Sequence, residues 1–491
     1  MNGLGQKQEY GGCKMSAVKG KAIVDFTEGR ITGKMIKFAL PLMATALLQS
    51  LYNAADMIVV ANFAPNGSFA MGAVGACGSL FSLFINFFLG LSVGVGICVA
   101  QNIGAKRPDE VKKYVHTAAV MSFVCGIALG VIGFFTAETM LIWMGTPETL
   151  LPEATQYMRA VFVGMPANLV YNFMASALRS SGDSKRPLIF LTVSGLANVA
   201  INFIMVLGFG MGAVGVGIAT AASQYLSAVI IVVYMMRTSG VCRIYLRELR
   251  ASGRMISGIM QNGLPTGLQS VVFAISNVLI QTSINSYGDI AVSGSGAANN
   301  IEGFIYVAMN AISIAAITVV SQNVGAAKFE RIKRVMLVSI IMVSVVGLAI
   351  AGLVMLFHEP LLSIYAPDGN DAALAAAVRA EGLKKLLFVG CPYFLCGIME
   401  CVSGALKGMG RSLISMIVSV IGSCALRILW IYTVCPFFND IRVLYLAYPV
   451  TWIVTTAGLA VFLVKAYREL IIARDKRLAK AEESKPAESL A

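Results

Sequence analysis

Long apolar runs separated by short polar stretches organise this chain from about residue 34 to residue 466. Roughly 20 apolar residues suffice to carry a helix across a bilayer. The limits of the runs predict twelve spanning helices, at 34–62, 70–100, 114–136, 154–178, 187–208, 213–236, 259–286, 293–322, 335–358, 380–406, 412–436 and 443–466. The first contains LPLMATALLQSLYNAADMIVVANF (40–63), with Pro41 at one end and a carboxylate, Asp56, inside the apolar stretch. An embedded acid costs about 2.5–3.5 kcal/mol on insertion scales, and such groups mark ion or substrate pathways. The seventh run is the least apolar, rich in Ser, Gln, Thr and Asn. Its polar stripe has two readings: a face on a wet cavity, or hydrogen bonds between helices. The fold class is all-α polytopic membrane protein.

Composition agrees. Of the 491 residues, 57% are hydrophobic and only 13% charged, with mean hydropathy +0.77, where a soluble chain has about 25% charged. The net charge of +13 does not point to nucleic acid, because it sits in alternate loops. Lys7, Lys14, Lys19, Lys21, Arg30 and Lys34 precede the first run; Lys106, Arg107, Lys112 and Lys113 follow the second. Basic groups recur after the fourth, sixth, eighth and tenth runs and in the tail. The intervening loops hold acids such as Glu138, Glu148, Asp289, Asp368 and Asp371, with Arg442 the exception. The alternation places both termini in the cytoplasm, in the cell membrane. It divides the chain into a cytoplasmic segment (1–33), a six-helix half (34–236), an Arg-rich cytoplasmic linker (237–258), a second half (259–466) and a cytoplasmic tail (467–491) expected to be solvated or disordered. Residues 1–33 are polar without a signal pattern, and Met15 is an alternative start to Met1. The ten cysteines are scattered, mostly in apolar runs, and predict neither disulfides nor a metal site. His116 and His358 are the only histidines, and there is no HExxH or P-loop, which argues against an enzyme or an ATP-driven pump.

The halves repeat. AQNIGAKRPDEVKKY (100–114) matches SQNVGAAKFERIKRV (321–335), FVGMP (162–166) matches FVGCP (388–392), ALRSSGDS (177–184) matches ALKGMGRS (405–412), and Leu40-Pro41 matches Leu264-Pro265. Six helices per half is an even number, so both halves enter the membrane in one orientation and their pseudo-two-fold axis lies along the membrane normal. These motifs, with LYNAADMIVV in the first run and GMGAVGVGIATAASQ leading into the sixth, resemble the multidrug and toxic compound extrusion (MATE) family over essentially the whole chain beyond Gly29. The resemblance implies a secondary active antiporter of prokaryotic type, exporting organic cations and other drug-like amphiphiles against protons or sodium by rocker-type alternating access. It implies no cofactor and no partner beyond the bilayer and a small amphiphilic substrate, and a monomer is expected. The alternative is a flippase for lipid-linked oligosaccharides from a related branch, which needs a cationic cavity.

Counted at about 1.5 Å per residue from the outer ends, Asp56 in the first run, Asn198 and Asn202 in the fifth and Thr220 in the sixth fall at one depth. Asn198 and Asn202 share a helix face. A carboxylate, two amides and a hydroxyl suit either a small hard cation or a protonated carboxyl. The resemblance implies a cation-coupling site for Asp56, Asn198 and Thr220; Asn202 stands where one prokaryotic branch has a second Asp. The matching positions of the second half are Ile280, Leu426 and Trp430, so the site is confined to the first half. Glu302 and Arg427, at similar depth in the second half, are expected to pair, with a second proton site at Glu302 as the other reading. Glu400 and Lys407 are expected to form an ion pair at the inner rim, Arg159 and Lys385 to snorkel, and Pro41 to bend the first helix.

Overall fold

The computed structural model describes residues 24–64, 67–365, 372–438 and 440–483. The lysines up to Lys21, Met15, Asp368 and Asp371 lie outside them. Among the described residues twelve helices are long and apolar enough to cross a membrane. They are α1 (Ile31–Phe63), α2 (Phe69–Gly104), α3 (Pro108–Trp143), α4 (Leu151–Ser180), α5 (Lys185–Gly208), α6 (Ala213–Arg237), α7 (Gly253–Asn285), α8 (Asp289–Gly325), α9 (Phe329–Leu356), α10 (Ala372–Gly408), α11 (Ser412–Phe437) and α12 (Ile441–Lys476). The order and number match the sequence expectation. Most helices run past the apolar limits, because polar residues prolong a helix outside hydrocarbon; α3 starts on Pro108 with Asp109 and Glu110 in its first turn. The largest difference is at the tail. Its charged segment continues α12 as helix to Glu483, built from good helix formers and tied down by the Arg411–Glu469 pair at 2.7 Å and by Arg474 on Glu330.

The halves form two lobes that meet through a symmetric set of contacts: α1 on α8, its repeat equivalent α7 on α2, and α2 on α8 at the axis. The close approaches named below lie toward the end of the bundle that carries the basic loops, called here the basic end. Gly90 and Gly94 of α2 lie against Gly267 and Gly263 of α7, where any Cβ would overlap backbone. Phe38, Ala39 and Leu42 of α1 share a core with Ala311 and Ala315 of α8. Three spans contain π-helical turns: Ile204–Gly208 in α5, Leu386–Gly390 in α10 and Val420–Ala425 in α11. Each lies within a few residues of an embedded polar group (Asn202, Lys385, Arg427), and such turns occur frequently at functional sites.

Residues before α1 strap the basic end. Phe26 is buried, stacks edge-on against Phe38 with ring centroids 5.2 Å apart, and its amide donates to Gln322 Oε1 at 3.2 Å. Lys328 donates to the Thr27 carbonyl and Arg331 to that of Gly29, at 3.0 and 2.9 Å. The strap is held in shape by Asp25. Burial alone would raise its carboxyl, but the Thr27 hydroxyl and amide, both 2.7 Å away, hold it below the usual carboxylate range.

Candidate functional site

On α1, Tyr52 and Asp56 are one turn apart and share a face. On α5, Gly195, Asn198 and Asn202 form the facing stripe. Gly195 has no side chain because the Tyr52 ring occupies its place, and the Tyr52 hydroxyl donates to the Thr192 carbonyl at 3.3 Å. This contact sets the register that brings Asp56 against α5. Asn202 Nδ2 donates to Asp56 Oδ1 at 2.5 Å and lies 3.3 Å from Asn198 Oδ1. Both asparagines are buried, and Asn202 Oδ1 has no hydrogen-bond partner among the described residues. Thr220 is half-buried on the neighbouring α6, and its hydroxyl makes no hydrogen bond to the other three among the described residues. Tyr157 of α4, absent from the sequence expectation, lies within electrostatic range of Asp56. Pro41 does not interrupt α1, which is one helix through it; the ring leaves the Lys37 carbonyl without its usual donor, and Thr45 Oγ1 donates to the Pro41 carbonyl at 2.7 Å.

At the basic end the repeated QNxGA motif closes the gap between lobes. Gln101 Nε2 donates to the Gly408 carbonyl at 3.0 Å, and the equivalent Gln322 Nε2 to the Ser180 carbonyl at 2.8 Å. Gly104 and Gly325 each sit where a Cβ would overlap the carbonyl oxygen of the other lobe's glutamine. Both helices then end alike, with Lys106 and Ala327 at φ near +55°. Directly against this seal lies a cavity of about 200 Å³. It is walled by α2, α4, α7, α8 and α10, and Thr266, Gln269 and Ser270 of α7 face it, which supports the wet-cavity reading of that polar stripe. Glu400 and Lys407 also line it. They make no ion pair within 4 Å among the described residues, so the expected rim pair is corrected to two separate cavity-lining groups.

The MatE family model matches twice, over residues 41–204 and 265–433, one match in each lobe. The chain belongs to the MatE family. It is 26% identical to the probable multidrug resistance protein YoeA of Bacillus subtilis (strain 168), over 79% of this chain and 83% of that protein. It is 22% identical to the FAD transporter of Shewanella oneidensis, over 78% and 84%. Among solved structures, a multidrug resistance MATE family transporter in an outward-facing conformation superposes with TM-score 0.82 at 19% identity, covering 91% of this chain and 98% of that one. This MATE protein is a transporter and a multi-pass membrane protein.

The C-terminal lobe of this MATE chain departs from the sequence expectation. Glu302 does not pair with Arg427. Its ionic partner is Lys385 of α10, 3.9 Å away, with both side chains nearly inaccessible. Ser295, Asn299 and Glu302 form one stripe of α8; Lys385 Nζ donates to Ser295 Oγ at 3.0 Å and to Asn299 Oδ1. Lys385 is therefore a buried ion-pair member, not a snorkelling cation, whereas its repeat mate Arg159 is half-exposed and pairs with Glu138 at 3.5 Å. Arg427 donates to Thr451 Oγ1 at 3.2 Å and lies 4.1 Å over the Tyr448 ring. Where the N-terminal lobe has Asp56, this lobe has the buried apolar Ile280. Lys385→Met should destabilise the protein by about 3–5 kcal/mol, since it strands Glu302 uncompensated, while Lys385→Met with Glu302→Leu should recover most of the loss. Thermal unfolding in detergent measures both; a single variant melting with wild type would mean the pair contributes nothing to stability.

Proposed function

We propose that this protein is a secondary active antiporter of the cell membrane, with both termini cytoplasmic, in which Asp56 couples inward flow of protons or sodium to export of a drug-like amphiphile. The observation that carries this reading is the carboxylate of Asp56 set between α1 and α5 and held by Asn202, in a lobe whose counterpart has the buried apolar Ile280 at that position. An acid kept there against its insertion cost has a transport role more readily than a structural one. Sealing at Gln101 and Gln322 on the basic, cytoplasmic side supports an outward-facing state for this conformation. Protonating Asp56 or giving it sodium from outside removes the cost of enclosing a bare carboxylate. The lobe then repacks, with α1 bending at Pro41 where its hydrogen-bond ladder is interrupted, and the lobes rock to expel cargo.

Organic cations, the cargo implied by the resemblance, have Glu400 and Tyr306 to meet them in the central cavity. The relative named for drug resistance supports an amphiphilic substrate, and the one named for FAD extends the range to a phosphorylated one. The flippase alternative is not what these relatives point to. Asn198 and Thr220 are assigned to the same coupling site as Asp56 and Asn202, and one ion per cycle fits its single negative charge. The test is concentrative dye export by wild type and Asp56→Asn in proteoliposomes, under an imposed proton gradient and then a sodium gradient.

A further inference from the structure

The central cavity is more basic than a carrier of organic cations requires. Arg179 and Lys407 both line it, against a single acid, Glu400. Lys407 is only 6% exposed, and its ammonium has no hydrogen bond or ion pair among the described residues. The Arg179 guanidinium makes no hydrogen bond there either, and its Nε is buried without a partner. Glu400 lies two turns from Lys407 on α10, beyond ion-pairing distance. Cations held away from bulk water without a counter-charge are costly, and two facing one chamber call for a partner that comes and goes.

Their positions in the repeat add a second, independent observation. Arg179 and Lys407 occupy the same place in ALRSSGDS and ALKGMGRS, so the pseudo-two-fold axis passes between them. The cavity lies on that axis. Ser92 and Ser313 line it as a further matched pair across the lobes, and Asn86 and Asn310 add one amide from each lobe at positions the repeat does not match. A group on the axis therefore meets one cation and two neutral hydrogen-bonding side chains from each lobe. Phe273 and Tyr306 complete the wall.

We propose that this cavity binds the anionic group of an amphiphilic cargo, a carboxylate or a phosphate monoester, between Arg179 and Lys407. The guanidinium offers a planar fork that matches either group, and the ammonium a point charge. The body of the cargo lies along Phe273 and Tyr306, with any cationic substituent toward Glu400. The proposal rests on the transport reading above and deepens it, because the anion then has a mechanical role. Sealing the basic end encloses two like charges in one small chamber, and a bound anion relieves that repulsion. Closing over cargo is favoured and closing over an empty cavity is not.

The test uses full-length protein in nanodiscs and fluorescence anisotropy, with no ion gradient. Two matched pairs of probes isolate the anion: rhodamine 110, with a free carboxylate, against its methyl ester rhodamine 123; and flavin mononucleotide against riboflavin, which lacks the phosphate. At least one anionic member should bind about tenfold or more tighter than its twin. Which pair shows the preference distinguishes carboxylate from phosphate. Arg179→Gln with Lys407→Gln should abolish the preference, and Arg179→Lys should keep most of it. If the double variant is not monodisperse, Lys407→Gln alone should reduce the preference and Lys407→Arg restore it. No preference in either pair, including no binding of any probe, overturns the proposal, as does a preference that survives loss of both cations. Because no gradient is applied, failure here and failure of ion coupling at Asp56 are separate results.

Discussion

Asp56→Asn is expected to abolish concentrative export while the protein still equilibrates dye downhill. The substitution keeps shape and volume and leaves Asn202 a hydrogen-bonding partner, so the contact between α1 and α5 at Tyr52 and Gly195 is undisturbed. What it removes is the ability to change charge. A membrane potential of about 150 mV is worth roughly 3.5 kcal/mol for each charge moved, enough for about a 300-fold gradient of a neutral substrate exchanged for one ion. Wild-type proteoliposomes should therefore accumulate a fluorescent substrate well above equilibrium under the correct gradient, and the variant should stop at equilibrium. Whichever imposed gradient drives wild type names the ion. With Asn202 where a second acid would stand, the site offers one carboxylate and neutral oxygens. Undiminished accumulation by Asp56→Asn would remove Asp56 as the coupling group and send the search to Glu302.

The parts of this molecule that were legible in sequence are those set by length and depth. Twelve spans, the repeat and the basic end follow from run length, motif order and the placement of Lys and Arg, all local properties. The pairing of Asp56 with Asn202 was legible because helices are rigid rods, so residues counted to one depth on adjacent rods are candidates to meet. Depth alone does not give the direction in which a side chain points. Glu302, Lys385 and Arg427 fall at comparable depths, and nothing local says that the stripe Ser295, Asn299, Glu302 turns toward α10 and not α11. The π-helical turns after Lys385 and before Arg427 shift the helix register where it decides partners, and no residue pattern announces them.

The helical tail was missed for a different reason. Its charge marked it as outside the membrane, which is correct, but charged residues four apart also support a helix, and ion pairs to Arg411 and Glu330 anchor it. The cavity cations were visible as members of two aligned motifs. Their shared environment was not, because the axis that brings Arg179 and Lys407 to one chamber exists only after the lobes pack.

Gly104→Val and Gly325→Val should each hold the basic end open, and together they should eliminate transport. In both places the atom that a Cβ would overlap is a backbone carbonyl oxygen of the opposing helix, Gln322 or Gln101, which cannot rotate aside. The helices α2 and α8 must instead move apart. Separation breaks the cross-lobe bonds of Gln101 to Gly408 and Gln322 to Ser180, about 1–3 kcal/mol for the two, and the overlap itself adds to this. About 5.5 kcal/mol suffices to turn a 99:1 equilibrium into 1:99, so the double variant should reside with its basic end open. Spin labels at Lys113→Cys and Arg334→Cys, on the basic ends of the two lobes, read the separation directly and should shift to longer distances. Gly352→Val, where a Cβ meets open space, should change neither the distance nor transport. An unshifted distance with full transport in the double variant would mean that QNxGA is a packing motif and that another contact gates the basic end. The near-equivalence of the two single variants is the more searching outcome. The repeat predicts equal effects because each glycine receives the other lobe's glutamine, although only the N-terminal lobe carries Asp56.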